Sequence, residues 1–326
     1  MAQIGIKHGH APGKWRALRT HPDVETVGIW EPDPSARAEA QQCGTYVDAH
    51  WCESGDEVLG DPTVAGVAIE GRNDESLVMA HAAVAAGKHV WLDKPAGDDW
   101  PDFLALLAKA RERGLLVQLG YMFRYQPGFR QVAEWAMSGL LGDLFGVRAH
   151  MSTWIDVPRR EVQSRHPGGI FYDLAGHMID QIVWLLGRPT RVSSFIRNDA
   201  TPELPAYADN TLAVFEFERA LAIVDIAAME PPPMARRFEV YGTRGSAVTE
   251  PFDPGRTVRL NLKEPSGEYA AGEHLLELPL VTRQELYERE LAAFAAALRG
   301  VRPPDRSPEH ELLVQETLLR ATGRIA

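Results

Sequence analysis

Cysteine is scarce. The 326 residues hold two, Cys43 and Cys52, too few for a disulfide framework or a four-cysteine zinc cluster. Positive charge is also short: 34 Lys and Arg against 45 Asp and Glu leave a formal charge of −11. An acidic chain repels phosphate backbones, so no nucleic-acid partner is expected without a local basic patch. The nearest thing to one, Arg159, Arg160 and Arg165, has Asp156 and Glu161 in its midst. No apolar run approaches the roughly 20 residues of a membrane helix, so no membrane partner is expected. The opening Met1-Ala2-Gln3-Ile4-Gly5-Ile6 lacks the n-region and h-region of a signal peptide. Internal repeats and low-complexity stretches are missing too. A cytoplasmic location is the expectation. With 45% apolar and 24% charged residues, the composition is that of a globular chain, long enough for two domains.

What is present first is an alternation of short apolar runs and amphipathic stretches. Strands are expected at Gln3–Ile6, Val24–Trp30, Val64–Ile69, His89–Leu92 and Leu115–Leu119. Helices are expected at Lys14–Thr20, Pro34–Cys43, Ser76–Ala86 and Trp100–Arg113. Continuous apolar strands separated by helices imply a buried parallel sheet, a doubly wound α/β domain over residues 1–120. After Gly120 the pattern changes. A helix at Phe129–Ser138, a strand at Leu144–Trp154, a polar stretch over 155–166 and a helix from Gly168 to about Leu186 come first. Strands at Arg191–Arg197, Thr211–Phe217, Ala220–Ala227 and Arg236–Gly242 follow without helices between them. That predicts an α+β domain with an antiparallel or mixed sheet over 121–326. Helices at Arg283–Arg299 and Pro308–Thr322 close the chain.

The turn after the first strand of a doubly wound fold is where a dinucleotide's phosphates bind, at a helix N-terminus. Here it runs His8-Gly9-His10-Ala11-Pro12-Gly13. The G-x-G-x-x-G fingerprint would place glycine at 8, 10 and 13, and only Gly13 complies. The two histidines crowd a phosphate or donate hydrogen bonds to it. Glu31, at the end of the second strand, lies where an acid accepts bonds from the adenosine ribose, and its charge disfavours a 2′-phosphate. It is equally a residue that starts a turn.

Lys94, in Leu92-Asp93-Lys94-Pro95, stands at the C-terminal end of a strand, the ligand-binding edge of open α/β sheets. Beside a cofactor it could polarise a substrate oxygen; elsewhere it would be a solvated lysine. Asp173 and His177 are four residues apart on one helix face, and Asp180 is three further on. Their neighbours Phe171, Leu174, Met178 and Ile179 are apolar. An imidazole oriented by a carboxylate is acid/base equipment. A metal face, D-x3-H-x2-D, and a structural hydrogen-bonded cluster are the other readings of this stripe.

These stretches together resemble one family. Gly87-Lys88-His89-Val90 with Asp93-Lys94-Pro95, Gly120-Tyr121-Met122-Phe123-Arg124-Tyr125-Gln126-Pro127, Gly168-Gly169 through Asp173, His177 and Asp180, and Glu239-Val240-Tyr241-Gly242-Thr243-Arg244-Gly245 resemble, in that order, motifs of the Gfo/Idh/MocA oxidoreductases. Asp93 stands for the family's Glu, and Ala175 for an inner glycine. The loop Glu70-Gly71-Arg72-Asn73 keeps the asparagine of a T-P-N-like segment but has Arg72 for its proline. The resemblance implies a Rossmann-like doubly wound domain and a second domain with a large open, mostly antiparallel sheet. It implies NAD-linked hydride transfer, with NADP less favoured, on a sugar, cyclitol or related polyol.

Lys94, Asp173 and His177 become the catalytic group. His8, Gly9, His10, Ala11, Gly13, Glu31, Arg72, Asn73, Asp93 and Lys94 become the cofactor contacts. Tyr121, Arg124, Trp154, Arg159, His166 and Asp180 are candidates on the substrate side. No metal is expected. A cis Lys94–Pro95 bond, a last helix returning to the first domain, and a homodimer or homotetramer joined through the second sheet are expected as well. Two rival functions share the fold: an NAD-using lyase or glycosidase with no net redox change, and a ligand or dinucleotide sensor without turnover.

Overall fold

The computed structural model describes residues 1–326, which divide into two compact units. The first comprises Met1–Met122 and Arg283–Leu312. Its strands are β1 (Ala2–Ile4), β2 (Ile29–Trp30), β3 (Gly66–Ile69), β4 (His89–Leu92) and β5 (Val117–Leu119). They form one parallel sheet in the order β2-β1-β3-β4-β5. Its helices are α1 (Ala11–Thr20), α2 (Pro34–Gln41), α3 (Gly55–Leu59), α4 (Ser76–Ala85) and α5 (Trp100–Glu112). All four residues of β3 are buried, as are Val90, Trp91 and Leu92 of β4. That is why these strands read as continuous apolar runs. The strand order reverses at β1 and β3, so the turns after Ile4, Ile69 and Leu92 share the ligand-binding edge of the sheet.

The second unit comprises Phe123–Thr282 and Leu313–Ala326. It holds α6 (Pro127–Met137), β6 (Leu144–His150), α7 (Val157–Gln163) and α8 (Ile170–Leu186). Then come β7 (Arg191–Arg197), β8 (Asn210–Glu216), β9 (Leu221–Ala227), β10 (Arg237–Gly242), β11 (Gly245–Thr249), β12 (Thr257–Leu262) and β13 (Gly272–Glu277). The eight strands run in the order β13-β12-β11-β10-β6-β9-β8-β7, antiparallel except for the parallel pair β6 and β9. Along β8 and β9 burial alternates, with Thr211, Ala213, Phe215, Ala222, Val224 and Ile226 inward. Phe145, Phe195, Leu221 and Leu275 are left exposed.

Three local expectations change. The second strand shrinks from Val24–Trp30 to Ile29–Trp30, because its neighbour β1 begins only at Ala2. The polar stretch over 155–166 contains α7, capped by Asp156, whose side chain accepts the Arg159 N–H. Residues 243–282 supply three further strands, β11 to β13. The division into units also differs from two consecutive blocks: α9 (Arg283–Leu298) belongs to the first unit, and α10 (Pro308–Ala321) straddles the boundary at Leu312.

Gly13 shows how α9 is seated. A Cβ there would lie 2.6 Å from the Tyr287 ring, and the Gln284 amide donates to the Gly13 carbonyl at 3.1 Å. Gly13→Ala should therefore overpack the α1–α9 contact and cost about 1–3 kcal/mol. Urea denaturation measures this; an unchanged midpoint would mean that the Tyr287 ring swings aside freely.

Candidate active site

The first-strand turn is shaped by its own hydrogen bonds. The His8 N–H donates to the Glu70 carbonyl (2.9 Å), the Ala11 N–H to the His8 carbonyl (3.1 Å) and the Gly13 N–H to the His10 carbonyl (2.9 Å). Pro12 has no N–H. The Ala11 and Gly13 peptide donors are thus spent inside the turn, and that of His8 on Glu70. The His8 and His10 side chains keep 12% and 17% of their surface exposed. A Cβ on Gly9 would meet nothing within 4 Å, so the turn is open on that side.

Beneath the turn lies a buried charge cluster centred on Lys14, whose side chain is wholly buried. Its Nζ is 3.1 Å from Glu70 Oε1 and 3.2 Å from Asp93 Oδ2, and 4.2 Å from the centre of the Trp91 ring. Burial would raise Asp93, but His8, Lys14 and His10 outweigh it and hold the carboxyl well below the usual range. Burial pushes Glu70 well above that range and Glu290 up to about 7. It pushes His10 down to about 4, so this imidazole is neutral near pH 7. Gly120 makes room for the cluster: a Cβ there would stand 2.9 Å from Lys14 Nζ.

Glu31 takes the predicted place at the end of β2. Its carboxylate accepts the N–H groups of Ile6 and Asp33, both at 2.9 Å. Lys94 is 2% exposed, its N–H donates to Asp93 Oδ1 at 2.7 Å, and the Lys94–Pro95 bond is cis. Arg72 pairs with Asp74 (3.0 Å) and Glu75 (2.7 Å), and Asn73 is half-buried beside it. Lys7, which the sequence did not single out, joins Asp33 (3.0 Å) and Glu75 (3.1 Å). A dinucleotide fits these residues at its ribose end through Glu31. At its pyrophosphate it fits only with His8 and His10 standing in for peptide donors. Tyr121 is buried in this unit under the Arg306 guanidinium, 5.3 Å from its ring centre.

In the second unit, α8 starts where Gly169 brings the chain against Ala208. A Cβ on Gly169 would fall 2.4 Å from the Ala208 carbonyl oxygen. Asp173 lies in the first helical turn, where the helix dipole favours a carboxylate. It accepts the Gln163 amide at 2.7 Å, and Gln163 in turn accepts the Tyr207 hydroxyl at 2.7 Å. His177 is 2% exposed, with Phe123 edge-on to its ring at 5.0 Å.

Arg124 and Asp180 are committed to each other rather than open to solvent. Two hydrogen bonds of 3.1 and 2.6 Å join them, and the guanidinium lies 4.1 Å from the Trp184 ring centre. His166 is buried against Tyr172, with ring centres 4.9 Å apart. Trp154 and Arg159 are exposed. Arg160 is buried on the Ile155 and Ala228 carbonyls (2.8 and 3.1 Å), so the three arginines form no surface patch.

Comparison with known proteins agrees with this architecture. Residues 2–121 match the oxidoreductase family with an NAD-binding Rossmann fold, and residues 129–248 match the GFO/IDH/MocA C-terminal domain. The chain belongs to the Gfo/Idh/MocA family. An uncharacterized oxidoreductase of Escherichia coli, YhhX, is 29% identical over 258 residues, 77% of this chain and 72% of that protein. The scyllo-inositol 2-dehydrogenase (NAD(+)) of Bacillus subtilis is 29% identical over 231 residues, 69% of this chain and 66% of its own. GenD2 from gentamicin A biosynthesis, solved in complex with NAD, shares the fold at TM-score 0.80 and 23% identity, covering 99% of this chain and 93% of that one. Within this Gfo/Idh/MocA chain no helix is long and apolar enough to cross a membrane.

Proposed function

We propose that this oxidoreductase transfers a hydride between NAD and a secondary alcohol of a sugar, cyclitol or related polyol. The observation that carries the reading is the presence of Lys94 just after β4 and of Asp173 and His177 on α8, in a chain of this family. The scyllo-inositol dehydrogenase among the relatives supports the substrate class. Glu31 would hold the adenosine ribose, and His8, Gly9, His10, Ala11 and Gly13 the pyrophosphate, with Arg72, Asn73 and Asp93 as further contacts. Bound NAD supplies the hydride acceptor. His177 takes the hydroxyl proton, Asp173 holds the hydroxyl or the imidazole, and Lys94 polarises the same oxygen. Trp154 and Arg159 are exposed groups suited to a polyhydroxylated ligand. Self-association through the open face of the second sheet, where Phe195 and Leu275 are exposed, belongs to the same reading.

The test is a panel of polyols with NAD, followed by the absorbance of reduced nicotinamide. Turnover on any member supports the reading. NAD binding without reduction across the panel would instead favour a sensor, the reading that the internally bonded turn supports. Glu31 gives a second check. Its carboxylate should repel a 2′-phosphate, so NAD should bind more tightly than NADP, and Glu31→Ala should narrow that gap. Calorimetry showing tighter NADP binding by the unaltered chain would overturn the ribose assignment.

A further inference from the structure

Apart from the pyrophosphate contacts proposed for them, His8 and His10 both point a ring nitrogen at one oxygen. Nδ1 of His8 is 3.1 Å and Nδ1 of His10 is 3.0 Å from Asp93 Oδ2. The ligand atoms of all three residues lie within 4.8 Å of one another, and Glu70 Oε2 is 3.8 Å from His8 Nδ1. A tetrahedral ion with bonds of about 2.0–2.2 Å spaces its ligands roughly 3.3–3.6 Å apart, a value these separations bracket. The geometry points to a binding site for a divalent transition-metal ion of zinc's class on His8, His10 and Asp93, with Glu70 as fourth donor. This departs from the sequence expectation of no metal, because His8 and Asp93 are distant in the chain and meet only at the sheet edge.

Several features fit an ion better than a plain hydrogen-bonded cluster. The two ring nitrogens and the carboxylate oxygen they face, at 3.1 and 3.0 Å, are lone-pair donors that repel unless protons or a cation lie between them. Two imidazoles with carboxylates suit zinc, cobalt or iron, whereas calcium and magnesium prefer an all-oxygen shell. The outer partners of such a site are present. Lys14 holds Glu70 and Asp93 at 3.1 and 3.2 Å, and the Lys94 N–H fixes the other Asp93 oxygen at 2.7 Å. The part-exposed imidazoles and the open side at Gly9 leave a way in.

The test uses tag-free, chelator-stripped full-length protein titrated with cobalt(II) and no dinucleotide, so its outcome is separate from that of hydride transfer. The expected result is one cobalt per chain by elemental analysis, visible d–d absorption, and displacement by zinc. His8→Ala/His10→Ala should weaken binding by more than the roughly 10–100-fold typical of losing an outer partner. His8→Gln/His10→Gln should do the same with side-chain volume better kept, and circular dichroism checks that both variants fold. His50→Ala should change nothing, which separates the site from the exposed grouping of His50, Cys52 and Glu57. Failure to retain cobalt at micromolar concentration, or undiminished binding in the folded double variants, would overturn the site and leave a proton-bridged cluster.

Discussion

His177→Ala is expected to lower turnover about 10²- to 10⁴-fold, the usual contribution of a positioned acid or base. Dinucleotide affinity should stay nearly unchanged, since the imidazole acts on the substrate proton. The ring is buried edge-to-face with Phe123 at 5.0 Å, so alanine also leaves a cavity. A purely structural histidine would therefore lower the melting temperature and spare activity per folded molecule. Measuring both quantities on one preparation separates the two roles, and His177→Gln keeps most of the volume as a check. Lys94→Ala should reduce turnover too. If both serve the proposed hydride transfer, the double variant should lose less than the product of the single losses. Wild-type turnover in His177→Ala would remove the residue from the mechanism.

The largest effect on stability is expected at Arg124. Its partner Asp180 is wholly buried, and the pair is joined at 3.1 and 2.6 Å, with the Gln181 amide on the same carboxylate at 2.9 Å. Removing one member of such a pair strands the other charge and costs about 3–5 kcal/mol. Each kcal/mol shifts melting by roughly 2–4 °C in a domain of 150–250 residues. Arg124→Ala should thus melt about 6–20 °C lower. Arg124→Met with Asp180→Leu should recover much of that loss, because no unpaired charge remains. If instead Arg124→Ala melts normally and only raises KM, Arg124 contacts substrate and the pair is not structural.

The parts of this chain that were legible in sequence are those decided by near neighbours. β3 and β4 announced themselves because burial on both faces demands unbroken apolar runs such as Gly66–Ile69. The Asp173–His177 spacing placed both on one face of α8, and that helix is where they lie. Contacts distant in the chain hid the rest. Nothing near Lys14 in the chain marks it as buried, and only Glu70, Asp93 and α9 reveal it as such. Arg124 and Asp180 looked like ligand contacts because nothing local showed that each was the other's partner. β12 did carry a signal, since Thr257–Leu262 alternates in burial, but β13 at the sheet edge alternates only between half-buried and exposed.

The return of α9 to the first unit also sets an order of assembly. Tyr287, Leu291 and Phe294 are buried, and Gly13 has its close packing partner in Tyr287. The ribosome makes α9 only after all of Phe123–Thr282. Domains generally fold as they emerge, N-terminal first, yet this nucleotide-binding layer must wait, with one flank of α1 bare, until most of the chain is synthesised. A single cut at Met122 would therefore release an incomplete unit. Dissecting the protein requires a circular permutation that joins Arg283–Leu312 to Met1–Met122, the two segments that the fold keeps together.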